Sequence, residues 1–176
     1  MKNRTDIRSH YLDVLENYIS FFVKDDDKSC GKFSSSVQEL IREAELRHEQ
    51  LTSLFTALDE QGVGMIVSNA SGDAWALILP DASEPGLFRY QDFRVNGWMS
   101  HYTCNSLDEV VLEAFKSGYR HEAPKDTLEK LSATDDWKKG CEKLGVHDSH
   151  NRGKLTFTEL LAQFEEIEAR YAAKAA

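Results

Sequence analysis

The sequence predicts an α+β fold: an N-terminal helical hairpin, a four-stranded antiparallel β-meander and C-terminal helices. Three observations predict it. Apolar residues recur at helical spacing up to about residue 61, short apolar runs punctuated by turn residues fill Gly64 to Cys104, and helical spacing returns after Ser106. The 176 residues suffice for one domain with a real core, and 41% apolar with 29% charged residues is a globular balance. The expected organisation is a single domain, 1–176, in three parts: a hairpin over 1–61, a meander plus helix over 62–120, and a helical part over 121–176.

The first helix is expected over residues 4–24. Ile7, Tyr11, Val14, Leu15, Tyr18, Ile19 and Phe22 form its buried stripe, and Asp25-Asp26-Asp27 with Gly31 end it. Ser36 with Glu39 reads as a capping box opening a second helix. Its stripe runs Val37, Leu40, Ile41, Ala44, His48, Leu51, Leu54, Phe55 and Leu58, and Gly62 is its cap. Gly64–Asn69 and Ala74–Leu79 flank the turn Ser71-Gly72-Asp73 as a β-hairpin. A turn-rich loop, Pro80–Gly86, leads to a strand over Leu87–Val95. Asn96-Gly97 is a strong hairpin signal into Trp98–Cys104. Ser106 with Glu109 is a second capping box, opening a helix that stops at Gly118. Thr127–Leu131 is a short helix or turn, and Asp135–Leu144 is a helix broken near Gly145. Thr156 with Glu159 caps a final helix carrying Leu160, Leu161, Phe164, Ile167 and Tyr171 on one face.

The net charge is −9, with −4 on residues 1–61, −4 on 62–124 and −1 on 125–176. There is no Lys/Arg cluster, so the long-range field repels phosphate and no direct nucleic-acid binding is expected. The field suits a basic partner or nucleic-acid mimicry, and excess acid also keeps a protein soluble. Cys30, Cys104 and Cys141 are odd in number and widely spaced, which fits free thiols in a reducing compartment. The N-terminal stretch has no apolar leader core and no run of 18 apolar residues occurs, so a cytoplasmic protein without a membrane segment is expected.

Asp148-Ser149-His150-Asn151-Arg152-Gly153-Lys154-Leu155-Thr156-Phe157-Thr158-Glu159 resembles the twelve-residue calcium loop of the EF-hand family. An acid opens it, Gly153 stands at the sharp turn, Leu155 at the apolar position and Glu159 at the close. The resemblance implies a calcium-responsive regulator with Asp148, Thr156 and Glu159 as metal ligands. Two ligand positions depart from it. His150 offers nitrogen to a hard cation, and Arg152 places a fixed positive charge where an oxygen belongs. These departures cost most of the affinity, so no cofactor is expected and Ca²⁺ is disfavoured. A second stretch, Asp26–Ser34, echoes the pattern without the closing Glu. Glu159 also has a plainer use as the capping partner of Thr156.

Other chemistry has thinner support. His101 and Cys104 are three apart on a strand and point to opposite faces, so they should not share a metal. They are the one Cys–His pair close in sequence, and the helix beginning near Ser106 could lower the thiol pKa, but Cys104 reads mainly as a small buried cysteine. His147 and His150 could share a zinc, with Cys141 further off. No G-x-S-x-G, G-x-G-x-x-G or P-loop is present. His48 reads as a hydrogen-bonded core or interface residue. The chain is therefore expected not to be an enzyme. Aromatic residues crowd the β region, and those left facing outward would suit a partner surface. The expected partner-binding residues are Trp75, Tyr90, Asp92, Trp98 and Tyr102.

Residues 79–120 are similar to small accessory domains of plasmid and phage proteins. The resemblance is carried by Phe88-Arg89-Tyr90-Gln91-Asp92-Phe93, by Asn96-Gly97-Trp98-Met99-Ser100-His101 and by the helix ending Ser117-Gly118-Tyr119-Arg120. It implies a mobile-element origin and an anti-defence role, binding a host protein or protein complex such as a restriction or CRISPR complex. The expectation is thus an acidic protein-binding module of inhibitor or adaptor type.

Overall fold

The structure, a computed structural model, describes residues 4–26 and 35–175. Two long helices, α1 (Arg4–Asp26) and α2 (Ser35–Gln61), pack on each other as the predicted hairpin. Strands β1 (Ile66–Ser68), β2 (Ala74–Pro80), β3 (Phe88–Arg94) and β4 (Gly97–Cys104) follow as an antiparallel meander. Helix α3 (Leu107–Lys116) leads to a two-residue strand, β5 (His121–Glu122). Helices α4 (Thr127–Ser132), α5 (Asp135–Asn151) and α6 (Phe157–Ala175) complete the chain. The fold is α+β, as predicted. The sheet has five strands rather than four, in the order β4-β3-β2-β1-β5, because residues after α3 return to pair with β1.

Alternation along the strands divides the core in two. Val67, Ala76, Ile78 and Tyr90 point to one face and pack against Leu51, Leu54, Phe55 and Leu58 of α2 and Val110, Val111 and Phe115 of α3. Ile66, Leu77 and Phe93 point to the other face and meet Trp137 of α5, with Leu128 and Leu131 of α4 beside them. With both faces covered, β2 reads as a nearly unbroken apolar run instead of an alternating one. Each fully buried Leu, Ile or Phe contributes about 1.5–3 kcal/mol.

Helix ends follow capping chemistry, with corrections to the sequence reading. Ser106 Oγ accepts from Glu109 N–H (3.2 Å), while the Glu109 carboxylate accepts from Asn105 N–H (2.9 Å) rather than from Ser106. Ser36 lies inside α2 instead of capping it, and Glu39 pairs with Arg42 (3.1 Å). An unpredicted cap, Thr134, receives Trp137 N–H (3.2 Å) and opens α5. That helix is not broken at Gly145 but runs on to Asn151. A glycine inside a helix costs only about 1 kcal/mol. Lys143–Glu168 and Arg170–Glu142 link α5 to α6 in the turn just before Gly145. The echo at Asp26–Ser34 lies outside the described residues beyond Asp26.

Two further devices fix the middle of the molecule. A β-bulge sets Met99 and Ser100 of β4 against the single residue Asp92 of β3. The Asp92 carboxylate accepts from Ser100 N–H (2.8 Å) and Ser100 Oγ (3.0 Å), satisfying the displaced strand. Gly140 brings the α5 backbone against the β3–β4 turn: a Cβ there would stand 1.6 Å from Asn96 O. Among the described residues, no helix is long and apolar enough to cross a membrane.

Candidate protein-binding site

The two edges of the sheet differ in kind. Edge β5 is two residues long, carries Glu122 and is followed by Pro124. Edge β4 is eight residues long, Gly-Trp-Met-Ser-His-Tyr-Thr-Cys, with no charged side chain and no proline. Charge, proline and shortness are the usual protections of an edge, so β5 has them and β4 lacks all three. Its bulge twists the first part, leaving the stretch up to Cys104 as a regular open edge. Residues 99–103 of β4 are all exposed, with Met99 at 52% and Tyr102 at 51%.

A groove of about 670 Å³ runs beside this edge. Ile7, His10 and Tyr11 of α1 form one wall, Tyr102 and Cys104 the strand side, and Glu109 and Glu113 the α3 side. Tyr102 is held upright by stacking on the buried Tyr90 (ring centroids 6.0 Å, 17° between planes), whose hydroxyl lies 3.0 Å from Ser117 Oγ. Lys116 donates to Glu113 (2.7 Å) and to Tyr11 Oη (3.0 Å), bracing the far wall. Cys104 sits at the base. Burial, then the charges of Glu109 and Glu113, push its thiol up to about 11. It therefore stays protonated near neutral pH.

Helix α1 is placed against this face by Arg8. Its guanidinium makes two bonds to Asp59 of α2 (2.6 and 2.9 Å) and two to the fully buried Asp108 of α3 (3.0 and 2.8 Å). It also lies 4.7 Å from the Phe55 ring centroid. These contacts raise the Arg8 pKa, the Asp59 bond being the largest cause.

The aromatic residues expected to bind a partner do not form one patch. Trp75 stacks on Phe93 (5.8 Å), and Trp98 meets Phe93 (5.5 Å) and Trp137 (5.2 Å), all in the cluster under α5. Tyr90 is buried on the opposite face and Asp92 is engaged at the bulge, where Tyr119 Oη also reaches it at 3.5 Å. Tyr102 alone of the five is both exposed and on the groove. The sequence reading missed Ile7, His10, Tyr11, Glu109 and Glu113. They join Tyr102 only through tertiary packing, and no local pattern marks them.

The stretch resembling a calcium loop divides between two helix ends. Asp148 lies inside the last turn of α5 and pairs with Arg152 (2.9 Å). Gly153, at φ +70°, ends the helix with Gly153 N–H donating to His150 O (2.8 Å) and Lys154 N–H to Ser149 O (2.9 Å). Thr156 N–H and Oγ1 both donate to Glu159 Oε2 (2.7 Å each), and Glu159 N–H donates to Thr156 Oγ1 (3.3 Å), a complete capping box. These contacts lower the Glu159 pKa, the Thr156 backbone bond being the largest cause. His150 Nδ1 lies 2.8 Å from Leu155 O and His147 Nδ1 3.1 Å from Asn151 Nδ2. Among the described residues no three His, Cys, Asp or Glu side chains are grouped to hold a metal. His101 pairs with Gln91 and Cys104 with Phe88, so the two point to opposite faces. His48 Nε2 lies 3.4 Å from Glu16 across the α1–α2 interface.

No protein-family model matches the chain, and no curated protein or solved structure matches it.

Proposed function

We propose that this chain is a non-enzymatic protein-binding module, of inhibitor or adaptor type, whose partner docks on the β4 edge and the groove beside it. The observation that carries this reading is the contrast between the sheet's edges. The short β5 is protected by Glu122 and Pro124, while β4 has neither charge nor proline and exposes Met99 and Tyr102. An edge without charge or proline invites pairing with another chain, here along the regular stretch between the bulge and Cys104. The non-enzymatic part is supported by Cys104, a buried thiol on the face opposite His101.

The test is site-specific photo-crosslinking in the native host. A benzophenone amino acid replaces Tyr102 in one variant and Ser71, in the β1–β2 turn, in another. The expected result is one host protein cross-linked from position 102 and not from position 71. Equal cross-linking from both positions, or none from 102, overturns the reading. The anti-defence role implied by the resemblance of residues 79–120 predicts that this protein is a restriction or CRISPR component.

A further inference from the structure

Resting on that reading, we infer that the occupant of the groove is an extended segment bearing Lys or Arg, added to β4 as a sixth strand. Three features on the molecule converge. The first is the open edge itself. Among the described residues no strand pairs with the outer side of β4, and β4 carries none of the charges or prolines that discourage pairing. Backbone pairing would supply affinity there without needing a preformed side-chain pocket.

The second is the groove's placement. A strand laid along β4 sends alternate side chains to opposite faces. One set enters the space between Tyr102, Leu112 and the α1 wall of His10 and Tyr11. The other set passes over Thr103, whose hydroxyl donates to Asp81 (3.0 Å).

The third is charge. Glu109 and Glu113 border the groove on one face and Asp81 stands beside Thr103 on the other. Lys116 is bound to Glu113 and Tyr11, and Arg89 lies in the field of Asp81, so three carboxylates stand against two cations and the surplus is negative. At Cys104 the charges of Glu109 and Glu113 are opposed by that of Lys116, the two carboxylates being the larger causes. A basic segment gains from these carboxylates on both faces. A second copy of this chain, carrying −9, is repelled instead.

The probes are three eight-residue peptides: one alternating Lys and Val, one alternating Glu and Val, and the basic peptide with every backbone amide methylated, so that neither edge can pair. Binding is followed by fluorescence anisotropy, at low salt and near physiological salt. The basic peptide is expected to bind at least about tenfold more tightly than the acidic one and to weaken with salt. Methylation is expected to cost at least about tenfold, since it removes strand pairing and leaves the charge. Glu113→Gln is expected to weaken the basic peptide severalfold while thermal unfolding confirms a folded protein.

Equal binding of the basic peptide and its methylated form overturns strand addition. Equal binding of the basic and acidic peptides, or failure of all three, overturns the basic segment. A dimer in sedimentation that Tyr102→Lys abolishes overturns it in favour of a second copy. If position 102 still cross-links a host protein when no peptide binds, the protein-binding reading stands and only the basic strand falls. If both fail, both fall.

Discussion

At the scale of single residues, two buried groups carry much of the chemistry, and the sequence hid the first of them. Asp108 reads as an ordinary first-turn acid, favourable at a helix N-terminus. In the fold it is fully buried, and Arg8 ties it to Asp59 across three helices. Breaking such a link leaves a carboxylate in the interior, so Arg8→Ala is expected to cost about 3 kcal/mol in urea unfolding. Arg8→Lys is expected to recover little, because an ammonium cannot reproduce the forked contacts. A loss within about 0.5 kcal/mol for Arg8→Ala would show the link to be peripheral. Cys104 gives a pH signature. Its folded pKa of about 11 lies above the ordinary 9.0, and Tyr119 is likewise raised to about 12 from 10.0, both chiefly by burial. Between these values the unfolded chain has lost protons that the native state keeps. Stability is therefore full below pH 9 and falls as pH rises towards 11 and 12. Thermal unfolding from pH 7 to 11 checks this. A Cys104→Ala variant should flatten the first part of the decline.

Elements were legible in the sequence where their signals are local and missed where a distant contact decides. The hairpin turn at Asn96-Gly97, the helix stops at Gly62 and Gly118, the cap at Ser106 and the box at Thr156 all depend on a few neighbouring residues, and they stand in the structure. Strand β5 pairs only because the chain returns from α3 to β1, which no window of sequence reveals. The 148–159 stretch shows how one pattern can arise from two local devices. A helix-ending glycine, Gly153, followed by a capping box closed by Glu159, reproduces the spacing of a calcium loop. Millimolar Ca²⁺ is therefore expected to leave the unfolding temperature unchanged, and Glu159→Ala to lower it equally with and without the ion. A calcium-dependent rise that Glu159→Ala abolishes would mean the carboxylate leaves the cap for the metal. Gly140 is the opposite lesson, since nothing local marks it as special. With Asn96 O so close, Gly140→Ala must push α5 off the β3–β4 turn. It is expected to cost about 1–3 kcal/mol and to alter the fluorescence of Trp98 and Trp137.

At the scale of the whole molecule, the sheet is a wall between two helical layers, closed at β5 and open at β4. Helices α1–α3 cover one face and α4–α5 part of the other, so most aromatic residues are spent on cohesion. Composition could show that aromatics were abundant in the β region. It could not show that Trp75 and Trp98 lie under α5 while Tyr102 stands outside, because that division follows from strand order and the bulge at Asp92. The acidic balance was visible at once, but its placement around the groove emerged only when α3 packed beside β4. Hydrogen exchange on the complex with the cross-linked host protein locates the partner on one edge of the sheet or the other. Slowed exchange is expected at the amides of residues 100–104 of β4, with His121 and Glu122 of β5 unchanged. Protection at β5 or along α6 with β4 unaffected would contradict docking on β4.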